Sequence, residues 1–256
     1  MTRLEEIIKN APKAPVLGVA AYQYNPVFVE IAAGLGFDIV WIEMEHAYIT
    51  FDQAAEMCRV AAGVGIATMI RVPDSRRENV LKAAECGPDI IDLPMANSTD
   101  ILEEFVHHAR FDAIGCRGFF GASRAVGYGL RGDIVEERNR INDRLCLMGQ
   151  IETREAVERA EELSSVPGIN AIFLGLGDLS ASLGVCGQTK HPTVIEAATN
   201  VIAIAKRCGK IVAVAGAPSD AAMWAEKGAD VLFCASDTMC LRTGAQSVLD
   251  QARGVS

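Results

Sequence analysis

The sequence lacks the patterns that mark several classes of protein. Its eight cysteines, at positions 58, 86, 116, 146, 186, 208, 234 and 240, are scattered and include no C-x-x-C pair, which argues against a disulfide framework. Lysine and arginine form no cluster and the net charge is −9, so neither nucleic acid nor an anionic membrane is expected as a partner. No apolar run approaches the roughly 18 residues of a membrane span.

The N-terminal segment carries no secretion signal. Leu4, Ile7 and Ile8 stand at helical spacing, but an apolar core and a small-residue cleavage site are missing. Together with the scattered cysteines, this predicts a protein of the reducing cytoplasm. The chain has 256 residues, half of them hydrophobic, which suits one domain over 1–256 built as a (β/α)₈ barrel, a fold of typically ~250 residues.

Short apolar runs alternate with amphipathic segments along the whole chain. The former predict strands at 16–20, 38–43, 66–72, 89–94, 145–151, 170–175, 210–215 and 230–235. The latter predict helices at 26–35, 52–63, 75–86, 98–109, 153–164, 193–208, 218–227 and about 238–252. Eight such units favour an α/β fold with a closed parallel TIM barrel over a doubly wound sheet.

Two connections are longer than a barrel needs. The first, 95–144, contains a glycine-rich segment at 111–129, and the second is 176–192. Long loops of this kind in compact domains are usually functional, so we expect the 111–129 segment to lie over the barrel mouth. Arg117 and Arg124 in this segment are either ordinary surface residues or recognise an anionic substrate.

Carboxylates follow two neighbouring strands at the end where barrel active sites lie. Gln150 and Glu152 end the fifth predicted strand, and Asp178 follows the sixth. Two carboxylates with water in the remaining positions suit Mg²⁺ or Mn²⁺. The alternative is that Glu152 only interacts with the dipole of the following helix and Asp178 only caps one.

The second and third strands end in further polar residues. Glu43-Met44-Glu45-His46 ends the second strand and Arg71 the third. His46 is the best acid/base candidate, unless it merely holds its loop. A buried arginine needs an anionic partner, so we expect Arg71 to pair with Glu43 or Glu45, to bind a substrate carboxylate, or to do both.

These motifs in this order resemble the HpcH/HpaI aldolase family of metal-dependent (class II) pyruvate aldolases on a modified TIM barrel. The resemblance extends over about 10–250 and is carried by these segments: 41–46, Arg71, 93–95, 115–118, 127–129, 150–152 and 175–184. It implies a hexamer, a trimer of dimers that exchange the C-terminal helix, here about 238–252.

The resemblance also implies roles for the residues of the site. Glu152 and Asp178 would hold a divalent metal, Mg²⁺ or Mn²⁺ with Co²⁺ as a further candidate, and pyruvate would chelate it. Arg71 would stabilise the enolate oxygen, and Gln150 and the amides near Gly177 and Asp178 would contact the substrate. His46, with Glu43, would belong to the acid/base machinery. Glu45 and Glu85 would support the site.

The implied reaction is retro-aldol cleavage of a 4-hydroxy-2-oxo acid to pyruvate and an aldehyde. Decarboxylation of oxaloacetate or a related 2-oxo acid, a CoA-ester lyase and a phosphate-binding barrel isomerase are the enzymatic alternatives, and a non-catalytic binding protein is a further one. The sequence departs from the family pattern, because Glu43 and Glu85 stand where aspartate is usual and Leu176-Gly177 replaces Pro-Ala. These differences bear on the reaction more than on metal or pyruvate binding.

Overall fold

The eight predicted strands form a closed parallel barrel in strand order β1 to β8. A computed structural model describes residues 1–11 and 15–254. Each strand pairs with its neighbours in the sequence, and β1 closes the barrel against β8. The strands are β1 (Val16–Ala21), β2 (Ile39–Glu43), β3 (Ala67–Arg71), β4 (Ile90–Leu93), β5 (Cys146–Ile151), β6 (Ala171–Leu174), β7 (Ile211–Ala215) and β8 (Val231–Ser236). The predicted α/β TIM barrel is confirmed.

Helices follow the strands and surround the barrel. They are α1 (Arg3–Asn10), α2 (Pro26–Leu35), α3 (Phe51–Val64), α4 (Arg77–Glu85), α5 (Thr99–Ala109), α6 (Ile134–Arg144), α7 (Arg154–Glu158), α8 (Ala160–Ser165), α9 (Leu176–Ser182), α10 (Pro192–Arg207), α11 (Ala221–Glu226) and α12 (Asp237–Arg253). Within the described ranges, none of them combines the length and apolarity needed to cross a bilayer.

The helix predictions were wrong in three places. The predicted helix 153–164 is two helices, α7 and α8, which meet at the non-helical Arg159. Both long connections contain a helix, since α6 lies in 95–144 and α9 in 176–192. The polar, charged surface of α6 and the shortness of α9 left no clear apolar period for a sequence pattern to detect.

Inward-facing residues fill the barrel with a layer of aromatic rings. Trp41, Phe173 and Phe233 contact one another edge to face, with ring centroids 5.3–5.5 Å apart. Leu4 of α1 is fully buried in the same cluster, so α1 closes the end of the barrel where the strands begin. The interior is therefore a packed core and not a channel.

The 111–129 segment does not cover the mouth of its own barrel. Just before it, Arg110 donates to the Asn170 side chain, 2.9 Å away, immediately before β6. Arg124 donates to the Cys86 carbonyl, 3.1 Å away, shortly before β4. These acceptors precede strands, so the segment packs at the N-terminal end of the barrel. The prediction that it covers the mouth was wrong because helix α5 ends at that N-terminal side.

Gly18 allows the Phe233 ring to enter the core. A Cβ at Gly18 would lie 2.3 Å from Phe233 Cδ1. We expect Gly18→Ala to lower the free energy of unfolding by about 1–3 kcal/mol, the usual cost of overpacking, and Phe233→Leu in the same chain to restore part of the loss. Urea unfolding measures both.

Gly34→Ala is the matched control for this substitution. Gly34 lies in α2 and a Cβ there would meet nothing within 4 Å. The free energy of unfolding of Gly34→Ala should equal that of the wild-type protein or exceed it by up to about 1 kcal/mol. Equal stability of Gly18→Ala and the wild-type protein would contradict the packing described for Phe233.

Candidate active site

Three inward-facing charged residues stand side by side near the C-terminal ends of neighbouring strands. The strand register places Glu43 of β2 beside Arg71 of β3, and Arg71 beside Asp92 of β4. All three side chains are buried. Arg71 therefore lies between two carboxylates at the end of the barrel where active sites of this fold occur.

Glu43 uses both carboxylate oxygens. Oε2 accepts from Nε of Arg71 at 2.7 Å, and Nη2 of Arg71 lies 2.6 Å away. Oε1 accepts from the backbone amides of Glu45 and His46 at 2.7 and 3.0 Å. The family resemblance implied that Glu43 acts together with His46. The structure instead places its carboxylate on Arg71 and on the turn that carries His46, because the inward direction of strand residue 43 points at Arg71.

Arg71 reaches from this pair toward the centre of the site. Its Nη1 lies 3.1 Å from Glu45 Oε2 and 3.4 Å from Gln150 Oε1, and its guanidinium carbon is 4.8 Å from the centre of the Trp41 ring. Burial alone would lower the pKa of Arg71, but the carboxylates of Glu43, Asp92 and Glu45 raise it overall. The guanidinium of Arg71 is thus a fixed positive charge that neighbouring side chains contact on several sides.

His46 stands at the outer edge of the site. Its side chain is 64% exposed, and Nε2 lies 3.7 Å from Glu45 Oε2. Glu45 is half-buried, and burial raises its pKa while Arg71 and His46 oppose the rise. The imidazole is therefore accessible to a substrate, and its backbone is held in place by Glu43.

Glu152 is buried at the end of β5 and receives only neutral donors. Oε1 accepts from the Met95 amide at 2.7 Å, and Oε2 accepts from the Gln150 side chain. Burial raises the pKa of Glu152 to about 7, and the carboxylates of Glu45 and Asp178 contribute to the rise, which the Met95 amide and Arg71 oppose. The side chain that caps the adjacent helix α7 is that of Thr153, so Glu152 is not the cap of this helix.

Asp178 and Gly177 lie in the first turn of α9. The N-cap position belongs to Gly175, and no side chain caps this helix, so the alternative in which Asp178 is the cap is wrong. Asp178 is exposed, and its charge acts on Glu152 and Glu45. Backbone N–H groups in a first turn have no acceptor within the helix, which leaves those of Gly177 and Asp178 available to an anion.

The donor set fits a hard divalent cation bound by few protein ligands. Across residues 1–11 and 15–254, no group of three or more His, Cys, Asp or Glu side chains is arranged around a metal position. Glu152 and Asp178 are two carboxylates, and Mg²⁺-type sites often use one or two with water and substrate oxygens. Gly175 leaves room for the side chains of Glu152 and Gln150, because a Cβ there would lie 2.5 Å from Glu152 Oε2 and 2.6 Å from Gln150 Nε2.

Sequence reasoning missed Asp92 and Tyr22. Asp92 is fully buried, its two oxygens have no hydrogen-bond partner in the described chain, and burial raises its pKa well above the ordinary value. Tyr22 follows β1, contacts Trp41 edge to face, and burial, with Glu43, raises its pKa. An aspartate inside the apolar run Ile90-Ile91-Asp92-Leu93 was the available signal, which was overlooked since it is not at the strand end.

Glu85 and Arg117 lie elsewhere. Glu85 ends α4, and its Oε1 accepts from Arg117 Nη2 at 2.9 Å. Because α4 leads to the start of β4, this pair is at the N-terminal end of the barrel. The expectation that Glu85 supports the site is therefore not met within one chain. Arg117 is buried, so the interpretation of Arg117 as a surface residue was wrong.

Known proteins share both the sequence pattern and the fold. The profile of a family described as HpcH/HpaI aldolase/citrate lyase matches residues 21–243. A hydroxypyruvate/pyruvate aldolase of Sagittula stellata is 31% identical over 180 residues, 70% of each chain. A 4-hydroxy-2-oxo-heptane-1,7-dioate aldolase of Salmonella arizonae is 29% identical over 249 residues, 96% of this chain and 94% of the relative. The crystal structure of an HpcH/HpaI aldolase from Desulfitobacterium hafniense superposes with a TM-score of 0.92 at 27% identity, over 100% of this chain and 98% of the other.

The raised pKa of Glu152 predicts how the stability of the metal-free protein depends on pH. The folded protein holds this proton up to pH of about 7, whereas the ordinary value is 4.5. The stabilisation is therefore complete below pH 4.5 and is lost as pH rises through about 7. Its full size is at most about 3 kcal/mol. We expect Glu152→Gln, which stays neutral, to become more stable relative to wild type between pH 5 and 7.5, as measured by urea unfolding.

Glu162→Gln is the control for this experiment, since Glu162 is an exposed residue of α8 whose side chain is 62% accessible. Its unfolding free energy should follow that of the wild-type protein across the same pH range. If Glu152→Gln and wild type changed in parallel, the carboxylate of Glu152 would be ionised throughout and its environment would be other than described.

Proposed function

Since this chain belongs to the HpcH/HpaI aldolase/citrate lyase family and is a carbon–carbon lyase, we propose that it cleaves a 4-hydroxy-2-oxo acid to pyruvate and an aldehyde in a divalent-metal-dependent retro-aldol reaction. One observation carries the proposal. Glu152 is a buried carboxylate with neutral donors on both oxygens, in the field of two further carboxylates. A buried carboxylate in such surroundings is stabilised when a cation binds to it.

Glu152 and Asp178 are the residues that would hold the metal ion, Mg²⁺ or Mn²⁺ by the hardness of the donors. When bound, the ion supplies positive charge that polarises the 2-oxo group of the substrate. A bound ion would also compensate the mutual repulsion of Glu152, Asp178 and Glu45. The remaining steps are assigned to side chains and amides of this chain.

Arg71 stabilises the charge that develops during cleavage. A base removes the proton of the C4 hydroxyl, the C3–C4 bond breaks, and its electron pair forms an enolate as the aldehyde leaves. Negative charge accumulates on the former keto oxygen, and protonation of C3 then gives pyruvate. The guanidinium is held by Glu43 before substrate arrives, so it stabilises this oxygen without reorganising.

His46 is the group for proton transfer at the C4 hydroxyl. It is the accessible imidazole of the rim, 3.7 Å from Glu45, and imidazole titrates closest to neutral pH among ordinary side chains. Glu43 contributes through position, because it holds the His46 amide and Arg71 together. A glutamate at position 43 is thus compatible with the reaction, because it acts by holding Arg71 and needs no direct contact with the imidazole of His46.

The carboxylate end of the substrate is oriented by backbone and amide groups. The first-turn amides of Gly177 and Asp178 are free of intrahelical acceptors, and helix N-termini favour anions. Gln150, buried between Arg71 and Glu152, offers its amide to the 2-oxo acid. These contacts would place the C3–C4 bond toward His46 at the open side of the site.

We propose further that the chain forms a homo-oligomer through α12, as the family resemblance implies. Between Cys240 and Arg253, every residue of this helix except Asp250 is exposed. Its apolar residues Leu241 and Val248 are 63% and 68% accessible. An isolated helix with exposed apolar residues gains stability when it packs on another subunit.

An apolar stripe on α2 is a suitable partner for α12. Val27, Ile31 and Leu35 recur every four residues and are 59%, 53% and 74% accessible, so they share one helix face. Exchange of α12 between two copies would cover both apolar surfaces. A hexamer built from such dimers is the assembly we propose.

Pyruvate proton exchange tests the enolate. In D₂O with Mg²⁺ or Mn²⁺, we expect the protein to exchange the methyl protons of pyruvate, followed by NMR, because enolate formation and reprotonation occur without an aldehyde. Glu152→Gln should lose metal binding by calorimetry and the exchange with it. His46→Ala should keep metal affinity but lower aldol cleavage at least about 10²-fold.

Glu162→Gln, exposed on α8, provides the matched control and should behave as wild type. Absence of metal-dependent exchange in the wild-type protein would refute the enolate mechanism, and unchanged metal affinity in Glu152→Gln would refute the ligand assignment. Exchange accompanied only by loss of CO₂ from oxaloacetate would identify the decarboxylase alternative, which shares the enolate.

Light scattering coupled to gel filtration tests the assembly. The wild-type protein should elute as an oligomer, and Leu241→Lys/Val248→Lys should shift it toward smaller species, because two buried apolar contacts become charged. Gln246→Lys adds one charge at an exposed polar position of the same helix and should leave the mass unchanged. A monomeric wild-type protein, or no response to the double substitution, would contradict the role of α12.

A further inference from the structure

A cavity lies at the opposite end of the barrel from the candidate active site. It has a volume of about 600 Å³ and is bounded by the residues before β4 and β5, by α6 and by the segment that follows α5. Five guanidinium groups line it, those of Arg117, Arg124, Arg131, Arg140 and Arg144, and Tyr128 and Leu130 add apolar surface. The proposed lyase reaction uses none of these residues.

Arg117 is the most unusual of the five arginines. Its side chain is fully buried, and its guanidinium carbon lies 4.6 Å from the centre of the Phe111 ring. Nη2 donates to Glu85, but Nε and Nη1 have no hydrogen-bond partner within the described residues. Buried guanidinium N–H groups without acceptors are costly, so Arg117, a residue of the cavity wall, has two strong donors that a bound acceptor would satisfy.

The charges around the cavity leave an excess of positive charge. Arg131 and Arg140 share Glu137, and Arg144 lies 3.6 Å from Glu6. Arg124 donates to the carbonyls of Cys86 and Cys58, and neither of these hydrogen bonds involves a carboxylate.

The negative groups at this cavity are fewer. Asp89 is in the wall, Glu85 pairs with Arg117, and the buried second oxygen of Glu85 also lacks a partner. Five guanidinium groups thus face four carboxylates, those of Asp89, Glu85, Glu137 and Glu6, in a chain whose net charge is −9. The cavity is a local exception to the acidic character of the protein.

We propose that this cavity binds a small organic anion that carries a phosphate or carboxylate group, at a site separate from the lyase site. Nε and Nη1 of Arg117 donate to the anionic group, since a guanidinium presents parallel donors to two oxygens. Arg124 and the more exposed Arg131 and Arg144 surround it, and the apolar part of the ligand lies on Tyr128 and Leu130. The volume is within the range of small-molecule sites, ~300–1,000 Å³.

Isothermal titration calorimetry on the full chain tests the site with two probes. Inorganic phosphate represents the phosphate group, and tricarballylate (propane-1,2,3-tricarboxylate) represents carboxylates. We expect saturable binding of at least one of them with one site per subunit. The probe that binds more tightly identifies the chemical group. Addition of Mg²⁺ and pyruvate should leave its affinity unchanged, because the lyase site is at the other end of the barrel.

Substitutions of opposite effect locate the binding. Arg117→Gln removes both free donors and should weaken binding at least about tenfold. Glu85→Gln removes the carboxylate that competes for Arg117 and should strengthen it. Arg131→Gln and Arg144→Gln, at positions with 54% and 45% accessible side chains, keep the buried pair intact and should each weaken binding about two- to fivefold.

Arg207→Gln is the matched control. Arg207 ends α10, also at the N-terminal end of the barrel, and is exposed. The variant Arg207→Gln therefore removes the same charge at a position away from the cavity, and it should bind the probe as the wild-type protein does. The proposal is overturned if neither probe binds saturably, if Mg²⁺ with pyruvate displaces the probe, or if Arg207→Gln weakens binding as much as Arg131→Gln. If the wild-type protein bound the probe but had no lyase activity, only the proposed function would be contradicted.

Discussion

The buried ion pair between Glu43 and Arg71 is the interaction on which the rim of this barrel depends. Neither charge would be tolerated alone in the interior, because removing one partner leaves the other without solvent or counter-charge. The pair is completed by backbone amides of the next turn, so it also sets the position of His46. A local electrostatic requirement thereby orders residues from two strands and one loop into a single site.

The same rim contains more negative than positive charge. It holds the carboxylates of Glu43, Glu45, Asp92, Glu152 and Asp178 and the guanidinium of Arg71, and burial raises the pKa of Glu152 to about 7. An excess of acid inside a barrel is costly unless a cation compensates it or protons neutralise it. We interpret the excess as the physical basis of the proposed divalent-metal site, and Arg71 as the group that prevents the metal-free rim from being wholly anionic.

The two ends of the barrel have opposite electrostatic character. At the C-terminal end, carboxylates predominate around one arginine. At the N-terminal end, the long segment after α5 brings arginines together around a cavity and buries Arg117 against Phe111. The barrel wall separates the two, with an aromatic layer of Trp41, Phe173 and Phe233 between them. The cation of the proposed metal site and the anion of the proposed site at the N-terminal end therefore have separate binding positions within one domain.

The sequence by itself determined the barrel, because eight apolar runs with helices between them admit few other folds. It also identified Arg71 and Glu152, because a polar residue at the end of a buried strand does not contribute to the apolar core. Tertiary structure alone decided the rest. Which carboxylate holds Arg71 depends on strand register, the burial of Asp92 depends on barrel closure, and the position of the 111–129 segment depends on contacts with residues distant in sequence. Such contacts leave no local period for a pattern to detect, since their energy comes from packing and pairing across the fold.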